Sequence, residues 1–184
     1  MHIKNFFFIN YLVKKNIKKN KNLIIIPARS GSIRVKNKNI KKIGGKPLIY
    51  YIIRACVLSK KARVVVSTNS KKICKLAKKF GAEVPFLRPK QISKDTSSTI
   101  EVIKHALKFL QENQSYVPDI IILLQPTSPL RTSQLITKTI NTLKKSKATS
   151  VITVSKITKH PYASYWLKND FLKPFEKNFT KYSR

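Results

Sequence analysis

Short, almost unbroken runs of Ile, Val and Leu alternate along this chain with longer stretches whose apolar residues recur at helical spacing. Leu23–Ile26, Arg63–Ser67, Val84–Leu87, Ile120–Leu124 and Ser150–Val154 read as successive strands. Pro47–Leu58, Ser70–Phe80, Ser97–Gln111 and Ser133–Leu143 read as the helices between and after them. Pro47 falls near the first turn of its helix, where its missing N–H does no harm, and Gly81 stops the next helix. On the third helix Ile100, Ile103, Ala106, Leu107 and Leu110 share one face. Strands apolar on both faces, interleaved with helices, predict an α/β fold: a Rossmann-like, mostly parallel sheet with helices on both faces.

Length and composition refine this picture in three places. A chain of 184 residues suits one domain, expected over 23–184. The balance of 39 Lys+Arg against 7 Asp+Glu, a formal charge of +32, suits a polyanion-binding surface. The lysines are spread over many segments alongside abundant Ile and Asn, which is equally the mark of lysine drift, and no dedicated nucleic-acid partner is assigned. Residues 1–22 read as a basic, disordered N-terminal extension. Their apolar run Phe6–Val13 is too short to span a bilayer, so no transmembrane segment and a cytoplasmic location are expected. Cys56 and Cys74 lack CxxC spacing and read as reduced, buried thiols.

The polar residues then fall into place on the sheet. Pro27-Ala28-Arg29, Ser67-Thr68-Asn69, Arg88-Pro89 and the run from Gln125 to Arg131 all follow the carboxyl ends of strands. Ligands of open parallel sheets bind at that edge. The loop after the first strand carries Arg29, Arg34, Lys36 and Lys38 around the small stretch Ser30-Gly31-Ser32, whose amides can form a nest for an anion. Neither the Walker A pattern nor GxGxxG is present. The residues themselves leave two readings open: a polyphosphate cradle or a solvated basic turn.

"IPARSGSIRVKNKNI", "GGKPLIYYII", "VVVSTN", "GAEVPFLRP", "DTSSTIEVIKHAL", "LLQPTSPLR" and "HPYASYWL" occur in this order. Together they resemble the acylneuraminate cytidylyltransferase family over about residues 23–184. The resemblance implies a nucleotidyltransferase that joins CTP and a nine-carbon 2-keto sugar acid into a CMP-sugar, releasing pyrophosphate with Mg²⁺ or Mn²⁺. It implies Arg29 and Lys38 as catalytic, phosphate-gripping residues. Ser30, Gly31, Ser32, Asn39, Arg88, Ser97 and Ser98 would join them at CTP, and Gln125, Thr127, Ser128 and Arg131 would meet the sugar acid. A homodimer is implied as well. From the residues alone, Asn39 is equally a turn residue, and Ser97 or Ser98 has the alternative role of a simple helix cap, one that Thr96 or Asp95 could also fill. His105 reads as a packed, hydrogen-bonded core histidine, and Tyr165 and Trp166 as core or dimer-contact aromatics. His160-Pro161-Tyr162 resembles a sugar-side segment.

The chain departs from the family pattern at Ile33, where a lysine is usual, and at Asn69, where an aspartate is usual. Arg34, the next residue, is the candidate replacement for the missing cation. The sequence also stops at "NFTKYSR", before the segment that completes the sugar pocket and supplies metal-holding aspartates in the family. Metal ligands are therefore not assigned, and Asp95 is the acid nearest a ligand loop. An inactive or truncated homologue that binds nucleotide without turnover, and a basic nucleic-acid-binding protein, stand as alternatives.

Overall fold

The structure is a computed structural model that describes residues 7–9, 21–32, 35–154, 165–169 and 171–174. Two compact units divide the chain: Phe6–Thr153, and Met1–Asn5 with Val154–Arg184. The first holds a four-stranded sheet of β1 (Phe7–Ile9), β2 (Asn22–Pro27), β5 (Arg63–Ser67) and β6 (Ile120–Leu123) in the order β1-β6-β2-β5. β2 pairs in parallel with both β5 and β6, and β1 is antiparallel to β6. A two-residue pair, β3 (Lys42–Ile43) with β4 (Lys46–Pro47), lies apart from this sheet.

Leu23, Ile24, Ile25 and Ile26 are wholly buried because layers cover both sheet faces. Ile24 and Ile26 pack with α1 (Leu48–Ser59), α2 (Lys71–Lys79) and α4 (Ser133–Lys145). Leu23 and Ile25 face the other way, onto Ile103, Ala106 and Leu110 of α3 (Thr99–Gln114). Ile100, expected on that face, is 53% exposed, and Val102 is buried in its stead. α2 ends at Phe80, and Gly81 takes a left-handed φ of 91°, which a side chain would strain.

Two expected strands do not form ladders. Glu83, just before the third, and Leu87, at its end, make single parallel bridges to Val65 of β5 and to Thr68 directly after it. Pro85 lies between them and cannot donate to a ladder. Residues 150–154 form no strand among the described residues, and Ile152 and Val154 are more than half exposed. The free edge of β6, where a further parallel strand would pair, is taken by β1. This corrects the reading of residues 1–22 as an extension wholly outside the domain: Phe7–Ile9 covers a sheet edge and Asn22 opens β2.

The route of the chain creates a switch point. From β2 it passes through α1 to β5 and on to the 83–87 segment, outward on one side. It then returns through α3 to β6 on the opposite side of β2. The carboxyl ends of β2 and β6 therefore diverge into a crevice.

The second unit contains a hairpin of β7 (Tyr165–Lys168) and β8 (Phe171–Pro174). Tyr165 is 47% exposed there, not a core residue. The Trp166 side chain, Ile33, Arg34 and His160-Pro161-Tyr162 lie outside what the structure describes.

Candidate functional site

A cavity of about 170 Å³ occupies the crevice. Its walls bring together Arg29 and Ser32 from the loop after β2, Lys38 and Asn39 from a short 3₁₀ turn, Arg88 beyond the second bridge to β5, and Gln125 and Thr127 after β6. Lys94, Asp95, Ser97 and Thr99 close it from the loop leading into α3. The positive end of the α3 dipole faces this space, which favours an anion.

Each wall is held by identifiable bonds. Asn39 is buried, and its Nδ2 donates to the Arg29 carbonyl at 2.9 Å, tying the 3₁₀ turn to the β2 loop. Asn39→Ala is expected to destabilise the protein by about 1–2 kcal/mol, because that carbonyl loses its donor. Thermal melting checks this, and an unchanged midpoint would remove Asn39 from the loop's support. Asn69 Oδ1 accepts from both the Ser30 N–H, at 2.9 Å, and the Ser30 hydroxyl, at 3.1 Å. An asparagine thus supplies the acceptor that aspartate would supply, without its charge. Gly31 sits at φ 76° and its carbonyl accepts from Arg29 Nη1 at 2.9 Å.

The expected nest is corrected by these contacts. The Ser30 N–H is engaged with Asn69, and neither Ser30 nor Gly31 lines the cavity. Ser98 is likewise outside it. Its hydroxyl accepts from the Glu101 N–H at 3.1 Å while Glu101 Oε2 accepts from the Ser98 N–H at 2.9 Å, a complete capping box. Ser97 lines the cavity, with its hydroxyl accepting from the Lys94 N–H at 3.1 Å. Ser128 and Arg131 do not line it: Arg131 donates to the Gln125 carbonyl at 3.4 Å and its backbone N–H to the Ser128 carbonyl, bracing the turn after β6. The charge of Arg131 also acts on Cys56 of α1, whose thiol burial pushes up to about 12. Cys56 and Cys74 are both free; Cys56 is buried and Cys74 only half-buried.

Arg88 is the electrostatic centre of the cavity. It is 5% exposed, and its Nε and Nη2 find no hydrogen-bond partner. Burial, and then the charge of Arg29, push its guanidinium down to about 10. His105 packs edge-on against Phe86 at 4.7 Å. Burial and then Arg88 lower its pKa, keeping the imidazole neutral, and its Nδ1 has no hydrogen-bond partner, contrary to the hydrogen-bonded histidine expected. Lys94 and Thr99 were absent from the sequence-derived set. A lysine is invisible as a site residue in a chain where lysine is everywhere, and Thr99 becomes visible only once Ser98 is known to be the cap.

A family model described as cytidylyltransferase matches residues 23–171. The chain belongs to this cytidylyltransferase family. The CMP-N,N'-diacetyllegionaminic acid synthase of Legionella pneumophila is 41% identical over 76% of the chain and 60% of its own length. The N-acylneuraminate cytidylyltransferase of Escherichia coli is 36% identical over 88% of the chain and 38% of its own length. The pseudaminic acid cytidylyltransferase of Campylobacter jejuni is 42% identical over 60% of the chain and 47% of its own length. The chain thus spans only part of these relatives. A cytidylyltransferase from Leptospira borgpetersenii superposes with a TM-score of 0.54 at 26% identity, over 70% of this chain and 51% of that one. A CMP:2-keto-3-deoxy-manno-octonic acid synthetase solved with CTP gives a TM-score of 0.56 at 23% identity, over 70% of this chain and 49% of that one, and shares the fold. The cavity lies at the switch point of this chain's sheet.

Proposed function

We propose that this cytidylyltransferase transfers CMP from CTP to a nine-carbon 2-keto sugar acid of the sialic acid type. What supports the reading is the convergence of Arg29, Lys38 and buried Arg88 on one cavity at the sheet's carboxyl edge, in a chain of this family. Its relatives are named for legionaminic, N-acylneuraminic and pseudaminic acids, and the reading is to that class of substrate.

The chemistry is a displacement at phosphorus. The anomeric hydroxyl oxygen of the sugar acid forms a bond to the α-phosphorus of CTP, and its proton passes to solvent water. The bond from that phosphorus to the bridging oxygen breaks, and pyrophosphate leaves with the electron pair. The protein's part is to hold the reactants in line and balance the phosphate charge. Lys38 supplies a mobile cation beside the α-phosphate and Arg29 a planar fork for the outer phosphates. Arg88 and the start of α3 take the cytidine end, where ring acceptors satisfy the unpartnered guanidinium. Gln125 and Thr127 face the sugar acid.

Among the described residues no cluster of three or more His, Cys, Asp or Glu could hold a metal ion. The cavity's carboxylate, Asp95, is paired with Arg29. These residues do not fit a protein-held divalent cation, and the steps above use none; the Mg²⁺ or Mn²⁺ implied by resemblance is proposed to arrive on the triphosphate, where Mg²⁺ keeps much of its water. A cytoplasmic location and a homodimer belong to the same proposal. No helix among the described residues is long and apolar enough to cross a membrane.

One observation favours a second reading, a nucleotide-binding chain without turnover: Asp95, the carboxylate lining the cavity among the described residues, is already paired with Arg29. Incubation with CTP, Mg²⁺ and each of the three sugar acids separates the two. Pyrophosphate release that requires a sugar acid is expected; CTP binding without release would establish the second reading, and binding of neither would overturn both.

A further inference from the structure

Asp95 contributes the only carboxylate lining the cavity among the described residues, against the cations of Arg29, Lys38, Arg88 and Lys94. It is ion-paired with Arg29 Nη2. The partners come from two separate loops that line the cavity, the loop after β2 and the loop before α3. The Asp95 wall is a turn fixed by Ser97, whose backbone N–H donates to the Lys94 carbonyl and whose hydroxyl donates to the Gln91 carbonyl. The guanidinium is held at the same time by the Gly31 carbonyl, so Arg29 stays pre-aimed.

We infer that Asp95 is a placeholder for phosphate: it neutralises and orients Arg29 in the empty site, and the outer phosphates of the nucleotide displace it. The exchange rests on the cavity holding a polyphosphate, as proposed above. The side chains are 25% exposed for Arg29 and 41% exposed for Asp95, so water and salt screen the pair and it is weak. A polyphosphate offers the same guanidinium several anionic oxygens in bidentate geometry and outcompetes a single screened carboxylate. A carboxylate left against bound phosphates repels them, so Asp95 must turn outward. On departure of pyrophosphate it returns to Arg29, which lowers the hold on the leaving anion. Asp95 thereby sets how tightly phosphate is held and how readily it is released, without touching the reacting atoms.

Isothermal titration of the full chain and its Asp95→Asn variant with tripolyphosphate, CTP and cytidine tests this at low and high salt. Asp95→Asn is expected to bind tripolyphosphate and CTP about fivefold tighter at low salt, the size of a weak exposed ion pair. The gain shrinks at high salt, and cytidine affinity is unchanged. Asp95→Ser should behave alike, and thermal melting confirms that both variants fold. Unchanged or weaker phosphate binding in the two variants would overturn the placeholder, as would an equal gain for cytidine. If tripolyphosphate shows the gain but CTP binds no better than tripolyphosphate, the placeholder stands and the cytidine reading falls. If no phosphate ligand binds either protein, the placeholder falls as well.

Discussion

Replacing Arg88 by methionine is expected to stabilise the empty protein and, in the same variant, abolish nucleotide binding. Arg88 is 5% exposed with Nε and Nη2 unpartnered, a buried charge held against its solvation preference. Burial and Arg29 lower its pKa to about 10, so folding disfavours the charged form. The penalty is therefore fully present below pH 10 and is relieved as the pH rises above it. Methionine fills a similar volume without a charge, and the expected gain is about 1–3 kcal/mol. For a chain of this length that is roughly 2–4 °C in melting temperature for each kcal/mol. Nucleotide affinity should fall by at least about a hundredfold, because the ligand then finds no charge-assisted donor at that wall. Paired melting and CTP titration read both effects. A variant that melts lower would show that the guanidinium is stabilised in the empty protein, and retained CTP binding would remove it from the site.

The wild-type chain should show the complementary behaviour. On the proposed reading CTP satisfies the orphaned guanidinium only in the folded state, so its binding is expected to be linked to stability: a hundredfold excess over the dissociation constant should add about 2.7 kcal/mol. Arg88 is a place where the fold carries an unpartnered buried charge, and the proposal is that the nucleotide offsets it.

Lys38→Ala is expected to lower turnover by about a thousandfold while leaving the melting temperature within about 1 °C. Its ammonium lines the cavity, and no hydrogen bond or ion pair holds its side chain among the described residues, so its removal leaves no buried partner behind. On the proposed reading the loss falls where charge develops, at the phosphate under attack, and the magnitude is that of removing one preorganised electrostatic contact. The effect should appear in kcat rather than in CTP affinity, since Arg29 and Arg88 remain. Steady-state release of pyrophosphate measures it. Turnover within tenfold of wild type would take Lys38 out of the mechanism.

The strands with an uninterrupted apolar sequence were legible to within a residue. Arg63–Ser67 was placed as found, and Leu23–Ile26 lost only its flanking residues Asn22 and Pro27. A run of Ile and Val that is buried on both faces admits few alternatives. The third and fifth strands failed for reasons that depend on neighbours. Pro85 breaks the pairing of one, and the edge the other would occupy belongs to Phe7–Ile9 from the far end of the sequence. The loops directly after β2 and β6 were legible as cavity-bearing loops, since the sheet's carboxyl edge is implied by strand direction alone, but which of their residues line the cavity was not: Ser30, Gly31, Ser128 and Arg131 do not. Ser98 and Arg131 could not be told apart from ligand contacts in one dimension. A serine before a helix caps or binds with the same atoms, and an arginine after a strand can fold back onto its own turn as easily as it can reach forward.

By itself the sequence determined the layers, the direction of the strands and hence the edge at which an anion would bind, because hydrophobic periodicity is a local signal that burial must obey. Resemblance grouped Arg29, Lys38 and Arg88 at one ligand, but the residues themselves could not say which of so many cations share one cavity. Only the tertiary structure set these three around a common space, added Lys94 to them, put Asp95 against Arg29, and left Arg131 out of the lining. Charges interact through distance, and distance between residues remote in the chain is set by the crossover from one side of β2 to the other.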